Sequence, residues 1–127
     1  MSALTVAIIG ASSDRKKFGN KSVRAHQAVG YQVFPIHPTE TIVEGLTAYR
    51  SLEELPVQQL DRISIYLPPP IALKVLPSIA KMQVAEVWLN PGVESQEVLE
   101  MASSLGLPVI TACSIVNLGL SPSQFPD

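Results

Sequence analysis

Thr5-Val6-Ala7-Ile8-Ile9-Gly10-Ala11-Ser12-Ser13-Asp14-Arg15-Lys16-Lys17 is the stretch that decides the fold. An apolar, largely β-branched run ends at a glycine, and a small-residue, then basic, segment follows it. Uninterrupted runs of this kind belong to strands buried on both faces, as in parallel sheets. Helical spacing then appears at Val23, Ala25, Ala28 and Val29, and Gly30 suits the position just past a helix end. The chain therefore opens as strand, turn, helix.

The same alternation continues outward. Tyr31 to Ile36 reads as a second strand, ended by His37-Pro38, because proline biases its predecessor toward extended geometry and donates no hydrogen bond. Residues 39–50 are a connection with no assigned structure. Ser51-Leu52-Glu53-Glu54 has capping-box form and predicts a short helix stopping near Pro56. Ile63 to Leu67 is a third strand, followed by Pro68-Pro69-Pro70 and by helical spacing at Ile71, Leu73, Val75, Leu76 and Ile79, with Pro77 expected to kink or divide that helix. Glu86 to Leu89 is a fourth strand, ended by Asn90-Pro91-Gly92. The next helix has Glu94, Glu97 and Glu100 on one face and Val98, Leu99 and Ala102 inward. Gly106 caps it, Leu107 to Thr111 is a fifth strand, and Ser114 to Asp127 forms a short helical or irregular tail.

Five strands alternating with helical segments predict an α/β fold, a three-layer, doubly wound, Rossmann-like parallel sheet. Right-handed crossovers are expected to give strand order 3-2-1-4-5. Residues 1–127 are one domain's worth of chain, and no internal repeat or linker interrupts them. The longest apolar run, Ala3 to Ala11, is too short to span a bilayer, and no basic residue precedes it as a secretory signal requires. Cys113 is the single cysteine, which excludes an intrachain disulfide and a multi-cysteine zinc site; a cytoplasmic setting is expected.

The net charge is −2, but it is unevenly spread. Residues 1–37 hold Arg15, Lys16, Lys17, Lys21 and Arg24 against Asp14 alone, while the remainder holds four basic and ten acidic residues. Basic charge confined to one short segment suits a small anion rather than a nucleic acid, which needs a wider basic surface. The bland alternative is a solvated basic loop.

Ligands of open α/β sheets bind outside the carboxyl ends of the strands at the switch point, here expected between the first and fourth strands. The candidate residues lie in Gly10 to Asn20, His37-Pro38, Leu67 to Pro70, Asn90 to Gly92 and Ala112-Cys113. Five of the eleven prolines fall in these loops and make rigid apolar walls. The G-x-G-x-x-G dinucleotide fingerprint is met once, since Gly10 is followed by Ser12 and Arg15 at its other positions. A Walker motif fails at Arg15-Lys16-Lys17. Gly10-Ala11-Ser12-Ser13 still lets backbone amides approach a phosphate, and Arg15, Lys16 and Lys17 add charge. His37 stands where an NAD site wants an acid, which favours a nucleotide richer in phosphate.

Taken in order, Gly10-Ala11-Ser12 with its basic loop, Gly30-Tyr31-Gln32-Val33 into His37-Pro38, Ile65-Tyr66-Leu67-Pro68-Pro69 and Trp88-Leu89-Asn90-Pro91-Gly92 resemble the CoA-binding domain family. Its members are small stand-alone proteins similar to the N-terminal domain of the succinyl-CoA synthetase alpha subunit, and the resemblance runs from about Thr5 to Leu118. It implies that coenzyme A is the ligand. The pyrophosphate then falls at Gly10, Ala11, Ser12 and the basic residues after them, and the ribose with its 3′-phosphate near His37 and Pro38. The adenine lies beside Leu67, Pro68 and Pro69, and the pantetheine along Asn90, Pro91 and Gly92. Relatives commonly carry asparagine where this chain has His37. The ligase's phosphorylated histidine belongs to a second domain outside this resemblance, so ligase chemistry is not carried over. Room is left for a homo-oligomer or a partner protein.

No convincing general acid or base emerges. His26 is expected to be an ordinary, partly exposed helix residue, Tyr66 a buried strand residue, and no residues gather as metal ligands. Cys113 has two readings: a small buried hydrophobe, or a thiol close enough to that of CoA for a mixed disulfide. The function expected is a non-catalytic CoA-binding, sensing or carrier module. The alternative is an NADP-binding oxidoreductase using the same crevice.

Overall fold

The computed structural model describes residues 3–127. Their elements are β1 (Thr5–Ile9), α1 (Phe18–Ala28), β2 (Gln32–Ile36), β3 (Ile42–Val43), β4 (Leu46–Thr47), β5 (Gln59–Ile65), α2 (Pro69–Ile79), β6 (Gln83–Leu89), α3 (Gln96–Ser104), β7 (Val109–Thr111) and α4 (Ser114–Asn117). Five strands form one parallel sheet in the order β2-β1-β5-β6-β7, while β3 and β4 pair as a small antiparallel hairpin. Alternate residues point to opposite faces. Ala7, Ile9, Ile63, Ile65, Val87 and Leu89 pack with Ala72, Leu76 and Ile79 of α2 and with Val98 and Ala102 of α3. Val6, Ile8 and Val33 point the other way, toward Val23 of α1 and Val43 of the hairpin. Helices thus cover both faces, which is the three-layer doubly wound arrangement that the apolar pattern predicts.

The strand order corrects the expected 3-2-1-4-5. Counting only strands of the parallel sheet, it is 2-1-3-4-5: the third strand, β5, pairs with β1 from Val6↔Arg62 to Ile9↔Ile65. Pro35 supplies the physical reason. It sits inside β2, and a proline cannot donate to a ladder on both sides of an interior strand. The Pro35 carbonyl faces away from β1 and accepts the Tyr49 N–H at 2.9 Å, so the missing N–H also falls on the outer edge. The switch point consequently lies between β1 and β5, not between the first and fourth strands.

Local departures have local causes. The Ser51 side chain makes no cap bond, and Leu52–Glu54 closes only a 3-10 turn that buries Leu52. Helix α2 runs undivided through Pro77, which lies in its last turn, where a single carbonyl forgoes its bond. Leu99 is exposed while Val98 and Ala102 are buried.

His26 is fully buried rather than partly exposed. Its Nδ1–H donates to the Ser22 carbonyl at 2.8 Å, and its Nε2 faces the Arg62 guanidinium at 3.4 Å. Burial, aided by the Arg62 charge, pushes its pKa down to about 4. Arg62 is itself buried, with its guanidinium carbon 5.5 Å from the Tyr31 ring centre and 4.7 Å from that of Trp88. It is paired with Glu86 at 3.0 Å and donates to Asn117 at 2.7 Å. A buried cation needs such partners.

Candidate functional site

The first loop is shaped by its own short side chains. Ser12 Oγ accepts the Asp14 N–H at 3.0 Å, Asp14 Oδ1 accepts the Lys16 N–H at 3.0 Å, and the Asp14 carbonyl accepts the Lys17 N–H at 3.1 Å. Chain direction then turns into α1 at Lys17. That helix has no side-chain cap and no acidic residue in its first turn. Its leading N–H groups, which have no intrahelical acceptors, are left for an anion.

Two glycines bring β1, β5 and α1 together. Gly10 has φ +91°, and a Cβ there would collide with the Tyr66 carbonyl oxygen. Gly19 lies in the first turn of α1, and a Cβ there would collide with the Gly10 carbonyl. The two contacts draw the start of α1 down onto the switch point. A groove of about 280 Å³ opens there, lined by Gly10, Lys17, Phe18, Gly19, Tyr66, Leu67, Pro68, Pro91, Gly92 and Val93. Six expected site residues therefore meet: Gly10, Lys17, Leu67, Pro68, Pro91 and Gly92. Phe18 and Gly19 fall in the candidate stretch Gly10 to Asn20 without a role of their own, Tyr66 is expected as a buried strand residue, and Val93 lies just past the candidate turn. Gly19 signals itself only by its distance from Gly10, which no standard fingerprint specifies.

The remaining expected residues lie around or behind the groove. Ala11 and Ser12 are buried beneath the first loop. Asn90 is buried too: its Nδ2 donates to Ser64 Oγ and the Ile65 carbonyl, both at 2.8 Å, and its Oδ1 accepts the Ser114 N–H at 2.9 Å. It ties β5, β6 and α4 together from within. Pro69 begins α2, and half-buried Cys113 precedes α4; neither lines the groove. Tyr66 Oη is 3.1 Å from Ser114 Oγ, and burial raises its pKa.

At the β2 end the acid missing from the sequence pattern arrives from three residues downstream. The Ser13 N–H and hydroxyl both donate to the Glu40 carboxylate, at 2.8 and 2.5 Å, and the hydroxyl bond holds that carboxyl below its ordinary range. His37 Nδ1 accepts the N–H groups of Thr39 at 3.1 Å and Glu40 at 2.8 Å, which leaves the ring proton on Nε2, 3.9 Å from Glu40. Arg15 pairs with Glu44 at 3.4 Å, and Asn20 donates to the same carboxylate at 3.0 Å. Pro38 and Lys16 are exposed. The basic loop is thus partly neutralised by the segment that follows β2.

These residues suit a phosphorylated nucleotide at the switch point: a glycine turn without room for a side chain, an uncapped helix start, a lysine and proline walls. Among the described residues no helix is long and apolar enough to cross a membrane, and no three metal-ligating side chains gather.

Comparison with known proteins agrees with this chemistry. A family model described as CoA binding domain matches residues 4–119. The alpha subunit of ADP-forming acetate–CoA ligase II from Pyrococcus furiosus is 30% identical over 118 residues, covering 83% of this chain and 25% of that protein. The chain spans about a quarter of that relative's length. A solved structure of a conserved hypothetical protein from Pyrococcus furiosus is 30% identical and superposes with a TM-score of 0.81 over 90% of this chain and 98% of that one. Acetyl-coenzyme A synthetase 1 of Ca. Korarchaeum cryptofilum matches at 27% identity and a TM-score of 0.72, covering 85% of this chain and 25% of that one.

Proposed function

The chain belongs to the CoA-binding domain family, and we propose that it binds coenzyme A or an acyl-CoA in the groove at the β1–β5 switch point, as a binding, sensing or carrier module with no turnover of its own. The observation that carries this reading is the meeting of Gly10, Lys17, Leu67, Pro68, Pro91 and Gly92 around that groove. The pyrophosphate sits on the turn from Gly10 through Ser12 and against the α1 start, with Arg15, Lys16 and Lys17 supplying positive charge. His37 and Pro38 stand at the ribose end, and Leu67, Pro68 and Pro69 form the wall for the adenine. Pantetheine leaves past Pro91 and Gly92, backed by Asn90, toward the β7 side where Cys113 lies. The binding module works in the cytoplasm, as one domain over 1–127, alone or against a partner protein.

The histidines support the reading without turnover, while Lys17 and Tyr66 are the titratable groups that line the groove. His26 is buried, neutral and committed to Ser22 and Arg62. His37 Nδ1 is committed to two backbone N–H groups. Neither is free as a general base in the groove. An NADP-dependent oxidoreductase is the poorer reading, because the first loop meets the dinucleotide glycine pattern only at Gly10.

Thermal-shift and calorimetric titrations with CoA, acetyl-CoA, NAD and NADP test the proposal, since a ligand selective for the folded state raises apparent stability. CoA or acetyl-CoA is expected to stabilise the protein well above either dinucleotide. Equal shifts with NAD, or none with CoA at saturation, would sink it.

A further inference from the structure

We infer that Arg24 is a positioning residue for the anion site: from the flank of α1 it holds the first loop in the shape that receives a phosphate, and the segment Ser121 to Pro126 in turn holds Arg24. The inference rests on the CoA reading above and extends it to residues that line no part of the groove.

A loop that takes an anion with its N–H groups must keep its carbonyl oxygens, which carry partial negative charge, turned elsewhere. Two carbonyls of the first loop are held against α1. The Ser12 carbonyl accepts from Asn20 Nδ2 at 2.8 Å, and the Arg15 carbonyl accepts from Arg24 Nη2 at 3.0 Å. Arg24 governs both contacts. Its Nε–H donates to Asn20 Oδ1 at 2.8 Å, and a guanidinium can only donate. That bond fixes which end of the fully buried Asn20 amide faces the Ser12 carbonyl.

Arg24 is fixed from its other side. Residues Ser121-Pro122-Ser123-Gln124 make a 3-10 turn with a complete capping box: Ser121 Oγ accepts the Ser123 N–H at 3.3 Å, and Gln124 Oε1 accepts the Ser121 N–H at 2.7 Å. Just past this turn, the Phe125 carbonyl accepts from Arg24 Nη2 at 3.0 Å and the Pro126 carbonyl from Nη1 at 2.7 Å. The Phe125 ring centre lies 5.9 Å from the guanidinium carbon. With Nε, Nη1 and Nη2 all engaged, the planar fork has one setting. A loop held ready in this way spares the ligand the cost of ordering it. An arginine that served only to anchor residues 125 and 126 would leave the loop indifferent to its loss.

The test measures CoA affinity by calorimetry and amide exchange of the ligand-free protein, in wild type, Arg24→Lys and the double variant Ser121→Ala/Gln124→Ala. Arg24→Lys keeps the charge and loses the fork, so the field at the loop is unchanged. It is expected to bind CoA about tenfold more weakly, the scale of ordering a few loop groups on binding. Exchange should quicken at the Asp14, Lys16 and Lys17 N–H groups that close the loop, and not in β1 or α2. The double variant changes two exposed side chains, loosens only the turn that seats Arg24, and should move both readouts the same way, with about a twofold loss of affinity. It carries the test alone should Arg24→Lys not fold. Wild-type affinity and loop exchange in the variants overturn the inference and leave CoA binding intact. So does a loss of affinity accompanied by equal loosening of β1 and α2. Wild type that does not bind CoA removes the CoA reading, while exchange without ligand still decides whether Arg24 holds the loop.

Discussion

Gly10 and His26 illustrate what single residues decide. Gly10 is legible in sequence because a glycine ending an apolar run signals a turn with positive φ. Its partner Gly19 is not, because the reason for it is the Gly10 carbonyl, a neighbour created by folding. His26 is hidden from sequence for a related reason: the spacing Ser22, Val23, His26 points it inward, but its acceptor, donor and cover come from Ser22, Arg62 and Tyr31 together. Its chemistry yields a prediction. The folded pKa, about 4, lies below the ordinary value of 6.5, so the unfolded chain binds the proton more readily. Stability from this residue is therefore fully present above pH 6.5 and is lost as pH falls from 6.5 to 4. The loss amounts to about 3 kcal/mol. Urea unfolding at several pH values should show the slope in wild type and a flatter one in His26→Gln. Parallel curves in the two proteins would mean that other groups carry the acid sensitivity.

At the scale of elements, strand and helix positions follow from local apolar spacing, and the main sheet's members were all legible. Their order was not, although Pro35 holds the clue: an interior strand would not tolerate it, and an edge strand does. The strands in segment 39–50 are two residues long each, too short for a period to emerge, yet the segment brings Glu40 and Glu44 to the first loop. Asn90, expected to line a loop, is a clasp between elements. It joins Ser64 and Ile65 of β5 to Ser114 at the start of α4, and the partners are 24 to 26 residues away along the chain. Removing its amide leaves buried donors and acceptors without partners. Asn90→Ala is expected to cost about 2–4 kcal/mol, the sum of more than one unmet buried group. Hydrogen exchange should show the loss concentrated at α4 and the end of β6. Uniform loosening over all strands would argue that Asn90 acts through general stability instead.

The molecule as a whole is slightly acidic, so its net field does not draw anions in; the attraction of the first loop is a local matter. The stretch 1–37 holds five basic residues, and folding gives four of them different places. Arg24 reaches the Arg15, Phe125 and Pro126 carbonyls and anchors the tail. Arg15 is paired with Glu44 at 3.4 Å, while Lys17 lines the groove and Lys16 lies outside it. Lys16 and Lys17 are neighbours of equal charge, so at a distance their contributions to the field are nearly equal and are screened alike by salt. Of the two, only Lys17 lines the groove. Lys17→Ala should therefore weaken CoA binding about tenfold, the size of one charge-assisted hydrogen bond, and Lys16→Ala about twofold. Raising the salt should narrow neither gap by much if contact dominates, because direct bonds in a partly enclosed groove are screened less than an exposed field. Equal losses in the two variants would show that the loop acts only through its field. No loss in either would return it to a solvated surface, and the anion would then have to be held by the backbone at the start of α1 alone.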